Sequence, residues 1–245
     1  MTTLTGKIAV VTGGNSGLGF ATAKELIANG ATVIITGRRK EAIDKAATEL
    51  GAVGMLANHA NLTDIVALTE QVGRAFGKID ILMVNAGTTK LTTIEEATED
   101  LFDEVMNLNL KGAYFTLSRF IPILNDGASV IITSSSSAST TKPHTSIYTA
   151  SKTAINAVVK IAAIELAPRR IRVNAVSPGP FATEIMEKGG IGDPKMQEFI
   201  IAGVPLGRLG IAAEVGKLVS FLSSDDAAFI TGAEYLIDGG QSLNK

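Results

Sequence analysis

Short apolar runs rich in β-branched residues alternate along the chain with longer segments of mixed polarity. The runs are IAVV (8–11), TVIIT (32–36), VGML (53–56), ILMV (81–84), SVIIT (129–133), IRVNAV (171–176) and EYLI (234–237). Their length and β-branching predict strands, and their continuity predicts strands covered on both faces, as a parallel sheet requires. The intervening segments predict helices over 18–29, 39–50, 63–76, 100–124, 148–167 and 213–223. Three of these stop at Asn29-Gly30, Gly51 and Gly77, where a helix end favours glycine. Strand and helix in alternation give an α/β chain: a doubly wound sheet of about seven parallel strands with helices on both faces. No repeat, linker or shift in composition divides it, so 1–245 is read as a single domain. The stretch 180–212 is the least regular, with Gly189, Gly190, Gly192, Pro194, Pro205 and Gly207, and reads as a substrate loop or small helical lid.

Composition narrows what such a domain can do. Its 245 residues are 46% hydrophobic, enough for one sizeable core, and its formal net charge is -2. Acids and bases are interspersed, so no basic face is set up for a phosphate backbone and nucleic acid is not expected as a partner. No apolar run reaches the roughly 18 residues that a membrane span needs, and MTTLTGK lacks the regions of a signal peptide, which points to a cytoplasmic protein. There is no cysteine, so disulfides, thiolate nucleophiles and cysteine metal sites are excluded. The two histidines, His59 and His144, belong to no ligand-spaced cluster; both read as surface or loop residues, and no metal is expected.

One turn stands out from this frame. Directly after the first apolar run comes TGGNSGLG (12–19), glycine-dense between a strand and a helix. Glycines there let a phosphate approach the backbone, and the helix beginning near Leu18 offers unpaired N–H groups and the positive end of its dipole. The spacing is not G-x-G-x-x-G. It resembles instead the T-G-x-x-x-G-x-G turn of the short-chain dehydrogenase/reductases, with Thr12, Gly13, Gly17 and Gly19 in place. Other segments carry the resemblance over nearly the whole chain, in order: Asn85-Ala86-Gly87, Asn109 in NLNLKG, the serines from Ser134, Tyr148 to Lys152 in YTASK, Pro178-Gly179, and Asp238-Gly239-Gly240. It implies a Rossmann-type fold, a nicotinamide dinucleotide cofactor and a hydride-transferring oxidoreductase.

Tyr148 and Lys152 are four apart and so share a helix face. On its own such a pair is an ordinary surface feature. In the family the tyrosine exchanges a proton with the substrate oxygen, while the lysine holds the nicotinamide ribose; a nearby ammonium is expected to lower the phenol's pKa. The family serine lies thirteen residues before the tyrosine, which selects Ser135 over its neighbours Ser134 and Ser136. Asn109 matches the asparagine of a proton relay, with Asn107 as its competitor. For the cofactor the resemblance assigns Gly13, Asn15, Ser16, Gly17, Leu18 and Gly19 to the pyrophosphate turn and Asn85, Ala86 and Gly87 to the adenosine ribose. It assigns Pro178, Gly179, Phe181 and Thr183 to the nicotinamide end. Asn61 and Leu62 are placed at the adenine, although the family more often has an aspartate there.

Cofactor choice turns on the end of TVIITGRRK. NAD-specific members carry a carboxylate about 20 residues after the glycine turn; here that position is Gly37, and Arg38 and Arg39 follow at once. Guanidinium geometry suits a 2′-phosphate, so NADP(H) is preferred with NAD(H) possible, unless the two arginines only solvate the next helix. The substrate implied is a small ketone or secondary alcohol. The nearest likeness is to 3-oxoacyl-carrier-protein reductases and broad carbonyl reductases. No pronounced basic cluster for an acidic carrier stands in 184–212, which favours the small ketone. A non-catalytic nucleotide sensor is the reading from another class, against which the intact Ser135, Tyr148 and Lys152 stand. Relatives are commonly homotetramers, and the same is expected here.

Overall fold

Residues 3–140, 142–182 and 193–243 are described by the computed structural model. The apolar runs become seven strands of one parallel sheet: β1 (Ile8–Thr12), β2 (Thr32–Gly37), β3 (Val53–Leu56), β4 (Ile79–Val84), β5 (Leu124–Thr133), β6 (Arg172–Pro178) and, near the C-terminus, β9 (Glu234–Ile237). Their order across the sheet is β3-β2-β1-β4-β5-β6-β9. β1 pairs in parallel with β2 (Ile8 with Thr32, Thr12 with Thr36) and with β4 (Val10 with Leu82). The chain therefore winds outward in one direction from β1 to β3 and in the other from β4 onward, and the switch point falls beside the glycine turn.

Alternate residues of each strand feed two separate cores. Val10, Ile34, Leu82, Val130 and Ile132 face α3 (Leu62–Phe76), α5 (Ala113–Phe120) and α6 (Ser146–Leu166), meeting Leu68, Phe120 and Ile155. Val11, Ile35, Met83 and Ile131 face α1 (Gly17–Ala28), α2 (Lys40–Leu50) and α8 (Ala212–Ser223), meeting Leu26, Ile43 and Val219. The period of two along a strand makes this division, and a slip of one residue in register would exchange the cores. Each fully buried Leu or Ile contributes about 1.5–3 kcal/mol by leaving water.

Two segments differ from the sequence pattern. The expected helix over 100–124 is α4 (Glu99–Met106), then a π-helical turn over Asn107–Gly112, then α5, and the last of it, from Leu124, is already β5. The wider turn coincides with a close approach, because a Cβ on Gly112 would collide with the His59 carbonyl oxygen. The irregular stretch 180–212 holds, among its described residues, α7 (Pro194–Ala202) and a two-stranded parallel ribbon of β7 (Phe181–Ala182) with β8 (Gly210–Ile211). Thr183 lies outside the described residues.

Candidate active site

The carboxyl ends of β1, β2, β4, β5 and β6 open onto one cleft of about 860 Å³, roomy enough for an extended ligand with a small second molecule. Its first wall is backbone. Gly17 has φ 53°, a left-handed conformation that a side chain would strain, and a Cβ on Gly19 would run into the Gly13 carbonyl oxygen and stand 2.6 Å from Asn85 Nδ2. Thr12, fully buried, fixes this turn to the next: its hydroxyl accepts from the N–H groups of Asn85 (2.8 Å) and Ala86 (3.0 Å). The Asn85 amide donates to the carbonyls of Thr12 and Gly13 and accepts from the Thr133 hydroxyl. Asn85 thus braces three strands rather than projecting freely.

α1 starts at this wall with no side-chain cap on Ser16 and no acid in its first turn. Its leading N–H groups are left for an anion, as a pyrophosphate requires. Gly37 ends β2 in a tight space: a Cβ would lie 2.7 Å from Asn15 Oδ1 and 3.0 Å from Ile43 Cδ1, so these side chains would have to shift to admit a larger residue. Asn15, Ser16, Leu18, Arg38 and Arg39 line the cleft, as do Gly13, Gly17 and the Asn85 to Gly87 turn. These residues fit a dinucleotide phosphate.

The other wall is made of side chains. Tyr148 and Lys152 rise from α6 into the cleft, with Lys152 Nζ 5.9 Å from the Tyr148 ring centre. Lys152 is buried, donates to the Thr133 carbonyl at 2.8 Å, and has its pKa lowered to about 8 by loss of water. The expected acidification of Tyr148 is corrected here. Burial of the phenol is the larger effect and raises its pKa, with the Ser135 hydroxyl pulling the other way. A phenolate in this cleft lacks solvating water, and one of the donors of the Lys152 ammonium is already given to the backbone.

The serines separate cleanly. Ser134 turns inward, donating to the Lys152 carbonyl at 3.2 Å. Ser135 faces Tyr148 and accepts from the Ser137 N–H at 3.1 Å, which leaves its proton for another acceptor. Asn109, buried in the π-helical turn, accepts from the Thr88 N–H (2.8 Å) and donates to the Thr88 carbonyl (2.9 Å) and the Ser151 hydroxyl (3.2 Å). A Cβ on Gly87 would lie 3.3 Å from Asn109 Oδ1 and 3.5 Å from Lys152 Nζ, so the three groups share one small space. Asn109 is not itself among the residues lining the cleft; its competitor Asn107, at the start of the same turn, is.

Pro178, Gly179 and Phe181 line the far end. Asp238 buttresses them: a Cβ on Gly179 would lie 2.6 Å from Asp238 Cβ, and the Asp238 carboxylate accepts from the N–H groups of Gly240 and Ser242. Asn61 and Leu62 are not among the residues lining the cleft. Asn61 caps α3, its side chain accepting from Thr63 and Asp64 N–H groups. Asn58 and His59 stand at the cleft instead. The carboxyl end of β3 is where the topology puts a ligand contact, and that rule would have found them.

His59 is not a surface residue. It is 4% exposed, held between the hydroxyls of Thr36 (2.7 Å) and Thr116 (3.2 Å), and burial lowers its pKa to about 4. Lys142 and Gln241 also line the cleft and carried no sequence signal, since both sit in turns whose approach to β5 and β6 is set only by folding.

A strand-end cleft with a glycine turn on one wall and a Ser, Tyr and Lys on the other defines a dinucleotide-dependent oxidoreductase. A family model described as "Enoyl-(Acyl carrier protein) reductase" matches residues 13–242. The chain is 41% identical over 241 residues to "Oxidoreductase asL5" of Sarocladium schorii, covering 97% of this chain and 96% of that one. It is 36% identical over 244 residues to the 3-oxoacyl-[acyl-carrier-protein] reductase FabG of Thermotoga maritima, covering 97% and 98%. The structure of the Pseudomonas aeruginosa RhlG/NADP active-site complex superposes with a TM-score of 0.94 at 30% identity, covering 98% of each chain. The protein belongs to the short-chain dehydrogenase/reductase family.

Proposed function

We propose that the protein interconverts a ketone and a secondary alcohol using NADP(H). The observation that carries this reading is the convergence of Ser135, Tyr148 and Lys152 on one cleft whose opposite wall is shaped for a dinucleotide. When bound, the reduced nicotinamide would supply the hydride. Ser135 hydrogen-bonds the substrate oxygen, and Tyr148, kept protonated by its buried setting, gives that oxygen its proton. Lys152, with a pKa of about 8, is mostly charged at neutral pH and lowers the cost of the phenolate that develops. Asn109 positions the Thr88 backbone and the Ser151 end of α6 around these groups. In the opposite direction the same phenolate takes the alcohol proton.

NADP(H) is favoured over NAD(H) by the end of β2. Gly37 supplies no carboxylate for the ribose hydroxyls, and Arg38 and Arg39 line the cleft there. A guanidinium on a 2′-phosphate contributes about 1.5–3 kcal/mol, so Arg38→Ala should weaken NADPH binding about 10- to 100-fold and leave NADH binding nearly unchanged. Equal losses for both would overturn the preference. The reaction itself is tested by following NADPH absorbance with a panel of activated ketones; no oxidation of NADPH with any of them would refute the reading. The likeness to FabG favours a second substrate, a 3-oxoacyl group on a carrier, and the same assay with a 3-oxoacyl thioester decides between them.

Assembly as a homotetramer is part of this proposal. Phe102, Tyr114, Ile161 and Ile164 on α4, α5 and α6, and Phe229 and Leu236 near the C-terminus, leave apolar surface exposed. No helix among the described residues is long and apolar enough to cross a membrane, in keeping with the cytoplasmic location proposed.

A further inference from the structure

Five charged side chains line the cleft among the described residues, and four of them are accounted for. Arg38 and Arg39 stand at the end of β2. Lys152 donates to the Thr133 carbonyl, and Glu104 lies 3.5 Å from Lys90. The fifth is Lys142, in the loop between the short helical turn Ser136–Ala138 and α6, six residues before Tyr148. Among the described residues no carboxylate lies within ion-pair distance of its ammonium. Asp238 acts on it from further away, but both oxygens of that carboxylate already accept backbone N–H groups, from Gly240 and Ser242. The lysine side chain is exposed as a whole, yet the walls around it remove enough water to lower its pKa. Ser136, Ser137, Gln241 and Tyr148 line the same cleft.

An ammonium with three donors that lines the cleft and has no ion-pair partner among the described residues is free to meet an anion that enters there. We propose that Lys142 receives an oxyanion, a carboxylate or a phosphate, carried by the oxo substrate itself. This rests on the ketone-reductase reading above and sharpens its substrate class: an oxo acid, or an oxoacyl thioester bearing a phosphate, rather than a neutral ketone. A cation in the same cleft as Tyr148 would also orient the substrate relative to the phenol. Neutral analogues lose both effects.

The test uses the full-length protein with NADPH and two matched substrate pairs. One pair is a short 3-oxo acid and its methyl ester; the other is a 3-oxoacyl phosphopantetheine thioester and the same thioester of pantetheine. Wild type, Lys142→Met and Lys142→Arg are compared, with NADPH binding and thermal unfolding as controls for the fold. In at least one pair, Lys142→Met should lower kcat/KM for the charged member about 10- to 100-fold more than for its neutral partner, the range of one charge-assisted hydrogen bond. Lys142→Arg should restore most of it. The pair that responds identifies carboxylate or phosphate as the source. Equal losses within both pairs, or no loss in either, overturn the proposal. So does failure of wild type on all four compounds. If neutral ketones are still reduced in any of these cases, only the anion proposal falls; if they are not, the ketone-reductase reading falls with it.

Discussion

The two walls of the cleft do their work with different atoms. The glycine wall, from β1 and its turn into α1, offers backbone N–H groups and empty space, and its side chains act mainly as braces: Thr12 and Asn85 bond the chain to itself. The wall from β5 and α6 offers side-chain hydroxyls and an amine, and its backbone serves to locate them, as where Thr133 anchors Lys152. A wall made of backbone is damaged by adding atoms. A wall made of side chains is damaged by removing them. The first kind of damage should show in cofactor binding and stability, the second in turnover.

That contrast can be broken by four substitutions, ordered by expected effect. Tyr148→Phe removes one oxygen and should lower turnover about 10²- to 10⁴-fold, the range for a positioned proton donor, while NADPH affinity measured by fluorescence titration stays close to wild type. Retained turnover would remove Tyr148 from its proposed role. His59 provides a pH test of the glycine side. Its pKa of about 4 lies below the ordinary 6.5, so the neutral form is the folded one. The unfolded chain takes up the proton first as pH falls below 6.5, and stability present above that value is lost progressively down to about pH 4. The loss amounts to about 3 kcal/mol. His59→Asn should flatten this acid limb in urea titrations repeated from pH 7 to pH 4, and an unchanged limb would assign the slope to other groups.

Gly19→Ala adds a methyl where the Gly13 carbonyl stands. It should cost about 1–3 kcal/mol of stability, as overpacking does, and weaken NADPH binding, with kcat at saturating cofactor the least affected quantity. A fall in kcat alone would erase the distinction between the walls. Asn61→Ala is the smallest change: loss of the α3 cap should cost about 1 kcal/mol in thermal unfolding, with no change in NADPH affinity. A cofactor defect there would return Asn61 to the adenine end, where the sequence resemblance placed it.

Asn61 also shows where sequence reading falls short. An asparagine just before a helix is an N-cap by local chemistry, and that local reading describes its geometry. The family pattern pointed to this strand end, but the residues that line the cleft there are Asn58 and His59, three earlier, because loop length between β3 and α3 shifts position without leaving a periodic trace. Ser135 was singled out among four consecutive serines by the spacing that the family resemblance supplies, whereas the inward turn of Ser134 toward the Lys152 carbonyl comes from packing. The raised pKa of Tyr148 was not legible. Adjacency on a helix face gives the lysine, but only packing gives the loss of water that outweighs it.

The sequence by itself determined the strands, the parallel sheet and the glycine turn, because these follow from local periodicity and from backbone conformations that only glycine takes easily. It also determined the pairing of Tyr148 with Lys152, which one helical turn enforces. Tertiary structure alone decided that His59 is buried between two threonines, that Asn109 sits in a π-helical turn clamping Thr88, and that Lys142 reaches the cleft. These depend on contacts between segments far apart in the chain, and burial and electrostatics are properties of what packs around a residue rather than of its neighbours in sequence.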